Sequence, residues 1–198
     1  MRIISLNVNG IRAAQKKGMF EWLSSQDADV ICLQEVFECD LDYLSEQFGM
    51  SVAFTPILDS DFKNKFDIDP LGYWGIAIFT RLPVITQGEQ YYVGDHTRIP
   101  KVDESNSNSL NRAVRWADVK KDDQVFRIAT THFTWSPNGN YIPLQGENLR
   151  VMEQFLKTEL EQFVLCGDFN SPRGGEIYHR LTKWLTDAIP PEIKTTID

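Results

Sequence analysis

Several things are scarce in this chain of 198 residues, and each scarcity excludes something. No run of about 18 consecutive apolar residues exists, so no segment reads as a membrane-spanning helix. Met1 to Asn7 lacks the long apolar stretch and small-residue cleavage site of a signal peptide, and reads as a first strand. Only three cysteines occur, Cys32, Cys39 and Cys166, with neither CxxC nor zinc-type spacing. Cys32 and Cys166 lie in apolar runs, so buried free thiols and a reducing, cytoplasmic setting are expected. There is no GxxxxGK[ST] phosphate loop. Ser5 and Ser171 have no nucleophile-elbow context, which argues against a serine hydrolase. No internal repeat or low-complexity tract is visible. Positive charge is also short: 20 Lys and Arg against 28 Asp and Glu give a net charge of −8. An avid, non-specific grip on duplex nucleic acid needs cationic surface, and this chain has little to offer.

What is present is ordinary globular material, 42% apolar and 24% charged, enough for one domain with a real core. Arg2–Asn7 and Asp29–Gln34 read as strands, the second apolar enough to be buried on both faces. Ile11–Ser24 reads as a helix with Ile11, Ala14, Gly18, Trp22 and Leu23 inward, and Asp40–Phe48 as an amphipathic helix. From Ser51 the pattern changes to strands joined by loops: 51–54, 73–80, 84–92, and a hairpin of 111–120 with 124–131. Two long loops are expected, 55–72 and 93–110, the second rich in Ser and Asn and expected to be mobile. A helix over 146–161, a buried strand over 163–166 and a last helix over 174–185 follow. Alternating strands and helices at the start imply α/β layering.

Three polar clusters sit at the C-terminal ends of apolar strands: Asn7 with Asn9, Glu35 after Gln34, and Asp168 with Asn170. Each could be a turn former alone. Together they resemble a site, because strand ends deliver side chains to one rim of a sheet. Glu35, Asp168, Asn7 and Asn170 are the oxygen donors a hard cation such as Mg²⁺ prefers. Glu35 is the most telling, because a carboxylate directly after Val-Ile-Cys-Leu-Gln is poorly placed for mere solubility. His132 closes another strand and could donate to a phosphate oxygen or stabilise developing charge; the alternative is a buried histidine satisfied by backbone. His96 and His179 read as surface residues. Trp135, near Pro137 and Tyr141, could stack on a base or sugar, or could pack its own loop down. Trp74 and Trp116 lie within strands and read as core. The stretch 35–69 carries 9 acids and 2 lysines, whereas 112–127 carries 5 basic residues and 3 acids. A substrate phosphate is expected to meet the second stretch, with Arg115 the residue nominated there.

The segments Leu6-Asn7-Val8-Asn9-Gly10-Ile11-Arg12, Val30-Ile31-Cys32-Leu33-Gln34-Glu35, Gly75-Ile76-Ala77-Ile78-Phe79-Thr80-Arg81 and Cys166-Gly167-Asp168-Phe169-Asn170 resemble the endonuclease/exonuclease/phosphatase superfamily. The N-terminal third is most similar to exonuclease III-like abasic-site endonucleases. The resemblance implies an α/β fold of four layers, an αββα sandwich, over a single domain 1–198. It implies a Mg²⁺- or Mn²⁺-dependent phosphodiesterase, with DNA the favoured substrate and DNA repair the implied setting. By resemblance Glu35 is the principal metal ligand and Asn7 an adjacent one. Asp168 orients or activates the attacking water, Asn170 holds the scissile phosphate, and His132 contacts that phosphate. Asn9, Arg115 and Trp135 are the expected substrate-binding residues.

Two departures shape the expectation. Thr131-His132-Phe133-Thr134-Trp135 stands where exonuclease III-like enzymes carry a tyrosine motif. The family pattern also closes with an Asp–His pair, whereas the one Asp-His step here, Asp95-His96, is mid-chain. The resemblance therefore implies a chain that lacks the last strands of the fold, with little turnover alone. Two other readings stay open: a hydrolase of small-molecule or lipid phosphoesters, and a fragment that binds metal or phosphate without turnover.

Overall fold

A computed structural model describes residues 1–60 and 72–194 of the chain. The elements run β1 (Ile3–Asn7), α1 (Ile11–Lys16), α2 (Met19–Ser25), β2 (Val30–Phe37), α3 (Leu41–Phe48), β3 (Ser51–Asp59), β4 (Tyr73–Thr80), β5 (Val84–Val93), β6 (Arg112–Lys121), β7 (Gln124–His132), α4 (Pro143–Thr158), β8 (Phe163–Asp168) and α5 (Glu176–Thr182). The strands form two mixed four-stranded sheets, ordered β1-β2-β4-β3 and β5-β6-β7-β8. In each sheet one pair is parallel, β1 with β2 and β7 with β8; the other neighbours are antiparallel.

The period-2 alternation of strand side chains produces the layering. In β2, Ile31 and Leu33 point into an apolar seam with Ile11, Leu23 and Leu44 of the helices, whereas Val30 and Cys32 point the other way. Those two meet Ala117, Val119 and Ile128 of the second sheet, so the sheets pack face to face. A third seam joins Val114 and Ala129 to Leu149, Met152 and Leu156 of α4 and to Ile177 and Leu181 of α5. Helices thus cover the outer faces of both sheets, as expected.

The structure departs from the sequence reading at places with clear causes. The helix expected over 11–24 is two helices, because Gly18 adopts φ 81° and breaks the turn. The break resets the helical phase, so Met19 and Leu23 are buried and Trp22, expected inward, is exposed. Strand β3 runs to Asp59, through residues expected to be loop. Pro56 does not stop it, because β3 is an edge strand. The rest of that expected loop, residues 61–71, lies outside the described residues, as do residues 195–198.

The second long loop, expected to be mobile, is tied down by its own Asn and Asp side chains. Asp95 Oδ1 accepts from Thr97 N (2.8 Å), Asp103 Oδ1 from Ser105 N (2.9 Å) and Asn106 Oδ1 from Asn108 N (3.0 Å). Asn111 Nδ2 donates back to the Asp95 carbonyl at 2.6 Å, and Asp59 N donates to the Pro100 carbonyl at 2.8 Å.

Candidate active site

Parallel pairing decides where the chemistry collects. Asn7 lies opposite Gln34 on β1 and β2, and His132 lies opposite Asp168 on β7 and β8. Each pairing joins two C-terminal strand ends within one sheet, and the hydrogen bond from Asn7 to Asp168 across the sheets places both pairs on one rim. Just below that rim Gln34 Nε2 donates to Thr130 Oγ1 across the sheets (3.1 Å) and to Ser5 Oγ (3.3 Å), a polar tie in the inter-sheet layer.

Glu35 reaches the rim through a local distortion. The register between β2 and β4 shifts between Gln34 and Val36, and Glu35 sits at φ 66°. Such a bulge redirects one side chain at the cost of backbone strain, a feature found at functional sites. Asn9 (φ 43°) and Asn170 (φ 47°) adopt the same left-handed region. Gly167, before Asp168, adopts φ 139°, and a Cβ there would lie 2.0 Å from the Thr131 carbonyl oxygen. Only glycine lets β8 approach β7 closely enough to bring Asp168 beside His132.

At the centre stands the Asn7 carboxamide. Its Nδ2 donates to Glu35 Oε1 (2.9 Å) and to Asp168 Oδ2 (2.7 Å), while its Oδ1 accepts from Asn9 N (2.9 Å). The Asn9 N–H can only donate, so it fixes which end of the amide faces the carboxylates. His132 Nε2 lies 3.7 Å from Asp168 Oδ2 and 3.9 Å from Glu35 Oε1. Asp168 Oδ1 accepts from Asn170 N (2.8 Å), and Asn170 Nδ2 donates to the Phe133 carbonyl (2.9 Å). Glu35, Asp168, Asn7, Asn170 and His132 are thus one cluster.

Its electrostatics are uneven. Burial pushes the Glu35 carboxyl above its usual range, and the charge of Asp168 adds to this, against the Asn7 hydrogen bond. Burial, and then the neighbouring Arg112 cation, push His132 down to about 4, so it is a neutral imidazole at pH 7. A neutral ring donates through one nitrogen, and Nδ1 is buried without a partner while Nε2 faces the carboxylates.

Two residues at the site escaped the sequence reading. Arg112 is almost fully buried, and its Nη1 donates to the His132 carbonyl at 2.9 Å. Trp74, expected to be core, is half-buried with its ring centroid 5.5 Å from that of His132. It is the second residue of β4, opposite Phe37, and antiparallel pairing brings that strand start to the rim where β2 ends. Arg115 lies elsewhere: its guanidinium bonds to Gln87 (2.7 Å) and Glu89 (3.4 Å) on β5. Asn9 and Trp135 are exposed.

Two carboxylates with side-chain amides beside them suit a hard divalent cation that keeps part of its water shell, such as Mg²⁺. Among the described residues no group of three or more His, Cys, Asp and Glu side chains is arranged to hold a metal ion.

Two face-to-face mixed sheets flanked by helices, with a carboxylate-centred rim, make this an α/β domain. The chain belongs to the endonuclease/exonuclease/phosphatase family, which it matches over residues 4–195. It is 23% identical over 187 residues to a probable CCR4-Not complex 3'-5'-exoribonuclease subunit Ccr4 of Encephalitozoon cuniculi, covering 87% of this chain and 38% of that protein. It is 34% identical over 90 residues to DNA-(apurinic or apyrimidinic site) endonuclease 2 of Xenopus laevis, covering 46% of this chain and 16% of that one. The chain thus spans well under half the length of these curated relatives. A conserved protein of unknown function from Enterococcus faecalis V583 has the same fold, with a TM-score of 0.67 at 16% identity over 93% of this chain and 72% of that one.

Proposed function

We propose that this chain is a divalent-metal-dependent phosphodiesterase acting on nucleic acid, with DNA the favoured substrate. The observation that carries the reading is the meeting of Glu35 and Asp168 on the one Asn7 nitrogen, with His132 Nε2 within 4 Å of both. Like charges held this close call for a cation. Glu35 would hold Mg²⁺ or Mn²⁺ with Asn7 beside it; a ligating Asn7 would turn its amide and exchange the Asn9 bond for the ion. Bound there, the ion would neutralise phosphate charge and sharpen the nucleophilicity of water.

The remaining roles belong to the chain's own groups. Asp168, braced by the Asn170 N–H, would orient the attacking water and accept its proton. Neutral His132 would donate to a non-bridging phosphate oxygen. The second N–H of the Asn170 amide would hold the scissile phosphate, its first being committed to the Phe133 carbonyl. Arg112 would keep the His132 backbone in place and add positive potential below the phosphate.

A substrate panel tests this. The chain, in excess over substrate and with Mg²⁺, is offered supercoiled plasmid, an abasic duplex and a simple phosphodiester. DNA should be cut, with cleavage lost in EDTA and reduced on the order of a thousand-fold by Asp168→Asn. Hydrolysis of the simple ester with DNA untouched would assign a small-molecule substrate. Binding without any product would assign a non-catalytic role.

A further inference from the structure

The three residues after His132 are held by hydrogen bonds from three other parts of the fold. The Phe133 N–H donates to the Asp168 carbonyl (2.8 Å), and the Phe133 carbonyl accepts from Asn170 Nδ2 (2.9 Å). The Thr134 carbonyl accepts from Gln145 Nε2 (2.9 Å), and Thr134 Oγ1 accepts from Asn148 Nδ2 (2.7 Å). Asn108 then brackets Trp135 at both backbone groups, accepting from its N–H at 3.1 Å and donating to its carbonyl at 3.1 Å. Side-chain amides from β8's exit, α4 and the long loop thus fix this stretch.

Phe133, Thr134 and Ser136 are buried, yet Trp135 between them is 42% exposed. Side-chain amides already hold the backbone on both sides, so packing the loop down does not require the indole. Asn108 also links to the catalytic side of the site, receiving Arg112 Nη2 at 3.5 Å while Arg112 Nη1 binds the His132 carbonyl. A large rigid aromatic held out on a fixed backbone, three residues from His132, has its ordering cost already met before a ligand arrives.

We propose that Trp135 is a stacking platform for an unpaired base beside the scissile phosphate, and that Asn108 is the positioning residue that aims it. This rests on the nucleic-acid phosphodiesterase reading above and names its substrate class: a single-stranded or locally unpaired strand. A base in an intact duplex has no free face for the indole.

Fluorescence anisotropy in EDTA, where no cleavage interferes, tests the platform. One labelled deoxyoligonucleotide is compared with a strand of equal length whose bases are absent. The wild-type chain should prefer the base-bearing strand by about ten-fold. Trp135→Ala should erase that preference and leave binding of the base-free strand unchanged, and Trp135→Phe should keep most of it. Asn108→Ala should reduce the preference for the base-bearing strand several-fold in the same binding assay. Equal preference in Trp135→Ala and wild type, with both melting at the same temperature, overturns the proposal. So does a wild-type chain that binds both strands alike. Loss of metal-dependent hydrolysis as an activity would sink the phosphodiesterase reading instead, and the base preference is read independently of it.

Discussion

Replacing Glu35 by Gln should make the metal-free protein more stable and the metal-loaded protein less so. Glu35 and Asp168 place their oxygens 2.9 Å and 2.7 Å from one amide nitrogen, so the two charges are about 5 Å apart. At an effective dielectric constant of about 20 their repulsion is about 3 kcal/mol. Both carboxylates keep some solvent access, and screening reduces this to about 1 kcal/mol. Gln keeps the length of Glu, can still accept from Asn7, and carries the same φ 66° strain, so charge is the main variable. For a chain of this length 1 kcal/mol corresponds to about 2–4 °C in Tm. In EDTA, Glu35→Gln should therefore melt about 2–4 °C above wild type. With Mg²⁺ at about a hundred times its Kd, wild type should gain about 2.7 kcal/mol and overtake the variant, which should gain little. Differential scanning calorimetry in the two buffers reads both numbers. A variant that melts below wild type in EDTA, or that shifts equally with Mg²⁺, refutes the reasoning.

Two further outcomes follow from the packing around the site. Gly167→Ala should cost about 3 kcal/mol or more, because the new Cβ meets the Thr131 carbonyl and the backbone sits at φ 139°; urea unfolding measures it, and a loss under 1 kcal/mol would contradict the close approach of β7 and β8. Tyr92 is buried against Thr131 and its phenol is pushed up to about 12, chiefly by burial. The unfolded phenol titrates near 10, so this contribution is intact below pH 10 and is lost as pH rises through 12, about 2–3 kcal/mol in all. Tyr92→Phe should be about 1 kcal/mol less stable at pH 7 yet show a shallower alkaline loss in urea midpoints between pH 8 and 11; parallel curves for the two proteins would refute it.

How much of this was legible in the sequence depends on what kind of signal each residue carries. Asn7, Glu35, His132 and Asp168 announce themselves because each ends an apolar run, and parallel pairing joins such ends within each sheet; that the two pairs share one rim comes from the face-to-face packing of the sheets, which no local pattern encodes. Arg112 and Trp74 sit at strand starts. They reach the same rim only because β6 and β4 run antiparallel to their neighbours, a register that local patterning does not encode. Arg115, three residues along β6 from Arg112, falls on the opposite face of the strand by the two-residue alternation and pairs with Glu89. The Gly18 break and the passage of β3 through Pro56 show local rules giving way to position in the fold: a glycine in the left-handed region ends a helix, and an edge strand tolerates proline. The Asn- and Asp-rich loop reads as mobile by composition, yet those same side chains supply the turns that fasten it.

Mn²⁺ binding followed by electron paramagnetic resonance, alongside the single-turnover cleavage rate of a DNA strand over the same titration, tests the central claim most directly. Wild type should show a saturable Mn²⁺ site whose occupancy and cleavage rate rise together, and Glu35→Gln should lose both. A Glu35→Gln chain that binds Mn²⁺ as wild type does, or cleavage that proceeds in EDTA, would contradict a metal-dependent centre built on Glu35 and Asp168.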